Sequence, residues 1–265
     1  MSQGSPDRIV FDPDGRIEGE ETDQMKNSMA IEHGGVRMVA HRGLSGLEKE
    51  NTCAAFVAAG VRSYFGIETD VHVTADGKYI LCHDHDLKRV AGGVPLELEQ
   101  SEAALLQSVP LLDTDGVSRR SDLFPPTLQD YILICRKYEK ESFLELKGEI
   151  DERHVAEIVG IVREMGHFER TTFISFSGDN LRRLRATAPD AKMQFLAWKV
   201  GPGELRFMEE TGAGADVDMR SVTKEAVDAV HAIGRDFNVW TVNTPEDAAR
   251  MIACGVDCIT TNILE

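Results

Sequence analysis

Residues 239–262 read VWTVNTPEDAARMIACGVDCITTN, and the order of signals within them decides the fold. The β-branched and aromatic run over 238–242 has strand composition. Thr244 then stands as a capping residue, Pro245 takes the first helical position, and Glu246 and Asp247 put negative charge at the positive end of the helix dipole. A helix over 245–253 follows from that cap, and a second strand over 258–261 follows the helix. A strand, a helix and a strand joined this tightly make a βαβ unit, the building block of a parallel sheet.

The same alternation extends back to Val36. Strands are predicted over 37–41, 65–71, 143–147, 172–175, 193–197, 215–219, 238–242 and 258–261, and helices over 52–62, 128–139, 152–165, 178–186, 203–210, 223–233 and 245–253. Eight strands with helices between them predict an α/β chain folded as a (β/α)8 TIM barrel, somewhat distorted. A ninth run, 79–83, is joined to Val73 by a "TADG" connection too short for a parallel crossover, so it reads as a hairpin partner of the second strand. A turn centred between Asp76 and Gly77 sets residue 83 opposite residue 70, making Asp70 and His83 neighbours. Residues 1–35 are polar and acidic with turn signals at "DPDG" and "EHGG", an N-terminal extension with at most one short helix near 21–31. That extension is expected to pack where an eighth helix would lie, because the chain stops before a full one forms. Residues 36–265 are then one barrel domain.

Composition supports this reading. A chain of 265 residues, 42% hydrophobic with 9 prolines, buries one large core, as barrels of about 250 residues do. A net charge of −16 argues against nucleic acid and against anionic membrane surfaces, leaving an anionic small substrate only where basic residues gather locally. No stretch reaches the roughly 18 apolar residues of a membrane span, so stable membrane insertion is not expected, and no secretory signal is visible at the N-terminus. Five cysteines without a CxxC pair read as thiols in a reducing cytoplasm. Self-association into a homo-oligomer stays open.

The chemistry gathers at predicted strand ends. In "FGIETDVHVT" alternation puts Glu68, Asp70, His72 and Thr74 on one face, which for an internal barrel strand points inward. Two like charges about 4 Å apart repel by about 4 kcal/mol at an effective dielectric near 20, so something must offset them. "FLELKGE" repeats the device with Phe143, Glu145 and Lys147. Glu68, Asp70 and Glu145 together make an oxygen-rich site suited to one hard divalent cation, Mg²⁺ or Ca²⁺; the alternative is an internal salt-bridge network with Lys147 and Arg42. "AHRG" places His41 and Arg42 where the first strand meets a glycine. In "HDHD" only His83 is assigned inward, with Asp84 to orient it and His85 facing solvent. His41 and His83 would flank the ion on opposite sides as a general acid/base pair, with either histidine in either role.

The motifs "AHRGLSG…ENT…AF", "IETDVHVTADG", "HDHDLKR", "LELK", "ISFS" and "VWTVNTPEDAARMIACGVDCITTN" together resemble the glycerophosphodiester phosphodiesterases, phospholipase-C-like phosphodiesterase barrels, over about 36–262. The resemblance implies metal-dependent hydrolysis of a small glycerophosphodiester to glycerol 3-phosphate and an alcohol. It implies that His41 and His83 are the acid/base pair, that Glu68, Asp70 and Glu145 hold the metal, and that Arg42 and Lys147 hold the phosphate. Glu50 and Asn51 fall in the ENT motif lining the site, and residues 87–125 take the place of a small insertion that shapes the alcohol pocket. Phe176, Trp198 and Trp240 follow or sit on later strands, either against glycerol or the leaving group or as plain core. Two departures stand out: Lys49 and Glu50 where the family often has proline before ENT, and Thr261-Asn262-Ile263 for its common ending "TDRP". Rival readings are a lysophospholipase D or sphingomyelinase D type enzyme and a non-catalytic binding barrel. A metal-dependent sugar isomerase lacks its usual two-metal ligand supply here.

Overall fold

The computed structural model describes residues 27–265. Eight parallel strands close on themselves: β1 (Arg37–Ala40), β2 (Gly66–Val73), β4 (Glu141–Leu146), β5 (Thr171–Ser175), β6 (Lys192–Ala197), β7 (Gly214–Asp218), β8 (Phe237–Trp240) and β9 (Cys258–Thr261) pair in that order, and β9 returns to β1. Helices α1 (Cys53–Gly60), α3 (Leu128–Lys137), α4 (Glu152–Glu164), α5 (Gly178–Thr187), α6 (Pro202–Thr211), α7 (Lys224–Ala232) and α8 (Pro245–Cys254) fill the connections. The chain is therefore the (β/α)8 barrel that its alternation predicts. Helix starts are fixed by side-chain caps from Thr52, Thr127, Asp151, Ser177, Thr223 and Thr244, each typically stabilising by about 1 kcal/mol.

Strand parity sorts the side chains. Met38, Ala40, Ile67, Val71, Leu144, Leu146, Phe173, Ala215, Val217, Val239 and Ile259 face outward into one continuous core shared with the helices. The alternate positions face the barrel axis, where Val39, Phe143 and Cys258 form a small apolar plug low in the barrel. Above that plug the inward positions are mixed, with Glu68, Asp70 and Glu145 on one side and Ile174 and Leu196 on the other.

The hairpin forms, but its register differs by one residue from the expected one. Strand β3 (Tyr79–Leu81) runs antiparallel to β2 with Val71 opposite Leu81 and Val73 opposite Tyr79. The loop is centred on Asp76, with Thr74 N–H donating to the Lys78 carbonyl and Gly77 left-handed at φ 68°, so Cys82, not His83, lies opposite Asp70. Val71 pairs Leu146 on its other side, which puts β3 on the edge of β2 that β1 leaves uncovered. Residues 87–123 fold back over this hairpin with a short helix, α2 (Ala103–Gln107), and a cluster of their own: Leu87, Val90, Leu98, Leu106, Leu111 and Leu123 pack on Ile80 and Cys82.

The short helix expected near 21–31 is not present over its described part. Residues 27–31 are extended instead, because Met29 pairs with Leu264 and Ile31 N–H donates to the Glu265 carbonyl, which replaces intrahelical bonds. Positions 21–26 lie outside the described residues. Among the described residues no helix is long and apolar enough to cross a membrane.

Candidate active site

Glu68, Asp70 and Glu145 open toward the carboxyl ends of the strands, the end where barrels of this kind carry their chemistry. His41 continues the inward parity of β1, and Arg42 directly after it is left-handed at φ 53°. That turn aims the Arg42 backbone N–H at Glu68 Oε2, 2.8 Å away. Gly43 is also left-handed, φ 76°, and a Cβ there would lie 2.6 Å from the Ala55 backbone, so only glycine lets the strand exit tightly against α1.

One ligand oxygen from each of Glu68, Asp70 and Glu145 lies within 4.8 Å of the others, all three residues buried. Lys147 Nζ sits 3.4 Å from Asp70 and 3.2 Å from Glu145, and Arg42 Nε sits 3.6 Å from Asp70. Asn51 Nδ2 donates to Asp70 Oδ2 at 2.8 Å while Thr69 Oγ1 donates to Asn51 Oδ1 at 2.6 Å, which fixes the Asp70 carboxylate. Burial alone would raise Asp70, but Lys147 and Arg42 together hold it below the usual carboxylate range. The other two are left short of positive charge: burial and Asp70 push Glu68 well up, and push Glu145 up to about 8. Three crowded carboxylates, two of them forced toward protonation, are the donor set a hard divalent cation satisfies. The residues present fit such an ion.

The two imidazoles differ. His41 Nδ1 lies 2.7 Å from Asn262 Oδ1, an oxygen that only accepts, so Nδ1 carries the hydrogen and Nε2 the lone pair, 3.9 Å from Glu68. Burial, with Arg42 beside it, pushes His41 down to about 4. His83 is half-buried, its Nδ1 2.8 Å from Asp84 Oδ1; burial, with Arg42 and Lys147 nearby, lowers its pKa against the opposing pull of Asp70 and Asp84. It reaches the cavity despite the register shift because β3 ends at Leu81 and the chain turns off the sheet. His85 is exposed, as expected.

An ion-pair chain braces this mouth. Arg89 clamps Glu50 with two bonds of 2.7 and 2.8 Å and reaches Asp84 at 2.7 Å, and Glu50 in turn accepts from Arg42 at 2.8 Å. Burial would raise Glu50, yet Arg89 and Arg42 hold it at about 2. Glu50 and Asn51 thus stand behind the wall, gripping Arg42 and Asp70, while a cavity of about 110 Å³ is lined by His41, Arg42, Glu68, His83, Glu145, Phe176, Trp240 and Asp216, among others. Lys147 lines the adjoining hollow with Glu145 and Phe176. Phe176, Trp198 and Trp240 pack mutually with ring centroids 5.3–5.8 Å apart, Phe176 and Trp198 stacked, and Trp198 is 62% exposed. Sequence reasoning missed Arg89 as the brace and Asn262 as the partner of His41. Extending the inward parity of Cys258 and Thr260 by two residues was the signal that pointed to Asn262.

Oxygen ligands for a hard cation, fixed positive charge and two imidazoles around one small cavity define a barrel hydrolase of phosphate esters. Comparison with known proteins narrows this: the model of the Glycerophosphoryl diester phosphodiesterase family matches residues 41–265, and the chain belongs to that family. A glycerophosphodiester phosphodiesterase of Caldanaerobacter subterraneus subsp. tengcongensis is 28% identical over 235 residues, covering 85% of this chain and 93% of the relative. Among solved structures, a glycerophosphodiester phosphodiesterase from Parabacteroides distasonis superposes with a TM-score of 0.71 at 25% identity, covering 89% of this chain and 94% of the other. An Oleispira antarctica phosphodiesterase solved with the product sn-glycerol-3-phosphate has a TM-score of 0.77 at 22% identity, covering 85% and 92%. The protein is thus a phosphoric diester hydrolase on a TIM barrel.

Proposed function

We propose that the protein hydrolyses a small glycerophosphodiester to glycerol 3-phosphate and an alcohol, with His41 and His83 moving the protons. The observation that carries this reading is the convergence of Glu68, Asp70 and Glu145 within 4.8 Å in a mouth that also holds Arg42, His41 and His83. Those three acids would hold one divalent cation, Mg²⁺ or Ca²⁺, which when bound supplies Lewis acidity toward the non-bridging phosphate oxygens. Arg42 and Lys147 bind the phosphate and stabilise the charge that accumulates on it. His41 acts as the base: burial keeps it neutral, and Asn262 leaves its Nε2 lone pair free to take a proton from the attacking oxygen. His83 acts as the acid: its Nδ1 hydrogen-bonds the Asp84 carboxylate, which orients the ring toward the departing alkoxide that it protonates. Glu50 and Asn51 orient Arg42 and Asp70, and Phe176 and Trp240 pack against the carbon skeleton of the substrate. The Oleispira complex with sn-glycerol-3-phosphate supports the product class on the same fold. Five free cysteines support a cytoplasmic setting.

The exposed Phe176–Trp198 pair beside the mouth favours one second reading, a lysophospholipid as substrate. The test is a chelated sample assayed on glycerophosphocholine, glycerophosphoethanolamine and lysophosphatidylcholine, with Mg²⁺ and Ca²⁺ restored separately. Glycerophosphodiester turnover is expected to vanish on chelation and return with one ion, and His41→Ala or His83→Ala is expected to lose at least about 10²-fold. Full activity after chelation, or unchanged turnover in both histidine variants, refutes the mechanism; turnover of the lysolipid alone selects the second reading.

A further inference from the structure

One inward acid takes no part in the chemistry above. Asp216 occupies the inward parity of β7 between Ala215 and Val217, which face the outer core. It is 2% exposed and lines the same cavity as His41, Arg42 and Glu68. Its Oδ1 has no hydrogen-bond partner, and among the described residues no basic side chain pairs with it; Asn238 is its one side-chain neighbour in hydrogen-bonding reach. Every other acid at the strand ends is engaged: Glu68 by the Arg42 backbone, Asp70 and Glu145 by Lys147, Asp218 by Arg220. A buried carboxyl oxygen without a partner is a standing cost to the fold, and a leucine would fill the same space without it.

The barrel order places β7 four strands from β2, directly across the mouth from Glu68 and Asp70. A phosphate held on the β1, β2 and β4 side therefore extends its organic part toward Asp216. We propose that Asp216 is a specificity-determining residue whose carboxyl group hydrogen-bonds a hydroxyl of the substrate's glycerol moiety, a role that rests on the reading of the site given above. Burial raises its pKa well above the usual value, which favours the neutral carboxyl, a group that both donates and accepts, as a hydroxyl partner requires, without adding negative charge beside a phosphate.

The test compares Asp216→Leu and Asp216→Asn with the wild-type full chain, loaded with the activating cation, on glycerophosphocholine and on bis(4-nitrophenyl) phosphate, which has no hydroxyl. The leucine variant is expected to lower the ratio of the two kcat/KM values by at least about tenfold while its thermal midpoint does not fall. It is also expected to weaken inhibition by glycerol 3-phosphate but not by inorganic phosphate. The asparagine variant, whose amide also donates and accepts, is expected to keep the ratio within about threefold of wild type. A leucine variant that retains the wild-type ratio overturns the proposal, whether both activities fall together, as a purely structural role predicts, or neither does. Wild-type enzyme that cleaves the nitrophenyl ester but no glycerophosphodiester overturns the functional reading and this proposal with it, and that outcome is visible before any variant is made.

Discussion

Replacing Asn262 by aspartate tests the assignment of His41 as the base. The amide oxygen lies 2.7 Å from His41 Nδ1, so Asn262→Asp puts a full negative charge about 3 to 4 Å from the imidazole centre. At an effective dielectric near 20 that attraction is about 5 kcal/mol, opposed by burying another carboxylate close to Glu68. An opposite charge at this range typically shifts a pKa by about 1 to 3 units, so His41 moves from about 4 to roughly 5–7. The sign follows from the protonation state: a base with a raised pKa keeps its proton to higher pH, so the acid limb of kcat/KM must move to higher pH. Near pH 5 the variant is expected to lose about tenfold relative to wild type, and near pH 8 to differ by less than about twofold. The assay is kcat/KM on glycerophosphocholine from pH 4 to 9, with the His41 ring followed in parallel by NMR titration. An acid limb and a ring titration that both stay in place would refute the reasoning, as would a limb that moves to lower pH.

The other predictions concern the ion, the brace and one buried histidine. Glu145 stands near 8 without a cation, so binding must expel its proton; calorimetry in buffers of different ionisation heat should find proton release, with apparent affinity rising at least about tenfold per pH unit between pH 6 and 7 and that slope lessened in Glu145→Gln. Arg89→Ala frees Glu50 and Asp84 together and should lower kcat/KM by about tenfold with little change in urea midpoint, since the guanidinium is half exposed; an unchanged kcat/KM removes the brace from the mechanism. His167 is buried and held at about 4 by burial, with Arg170 nearby, against an ordinary value of 6.5. Its depressed value leaves stability intact above pH 6.5 and removes it as pH falls toward 4. Unfolding free energies of the wild type from urea titration should therefore drop more steeply across that window than those of His167→Gln, by about 1 kcal/mol per pH unit, and parallel curves would contradict the assignment.

The sequence carried the barrel and the acids for a simple physical reason. Alternation in β2 and β4 is imposed by the sheet, so once both strands are internal, Glu68, Asp70 and Glu145 have nowhere to point but inward. Turn chemistry is less determinate: "TADG" admits either of two loop centres, and the one adopted moved Cys82 into the position expected for His83. Arg89 was hidden because it leaves an irregular segment to reach Glu50, a contact that no periodicity encodes. Asp216 shows the limit from the other side, since parity gives its direction but not that its Oδ1 is left without a partner and that, among the described residues, no cation pairs with it. The short N-terminal helix failed over 27–31 because pairing with residues 263–265 satisfied the same backbone groups.

The segment folded over the hairpin owns its apolar cluster, yet it sends one guanidinium across to the acids that steady Arg42 and His83. Grafting a foreign loop here to change the alcohol accepted would therefore disturb turnover as well as selectivity. A chimera that restores a cation at this crossing point should recover rate while keeping its new preference.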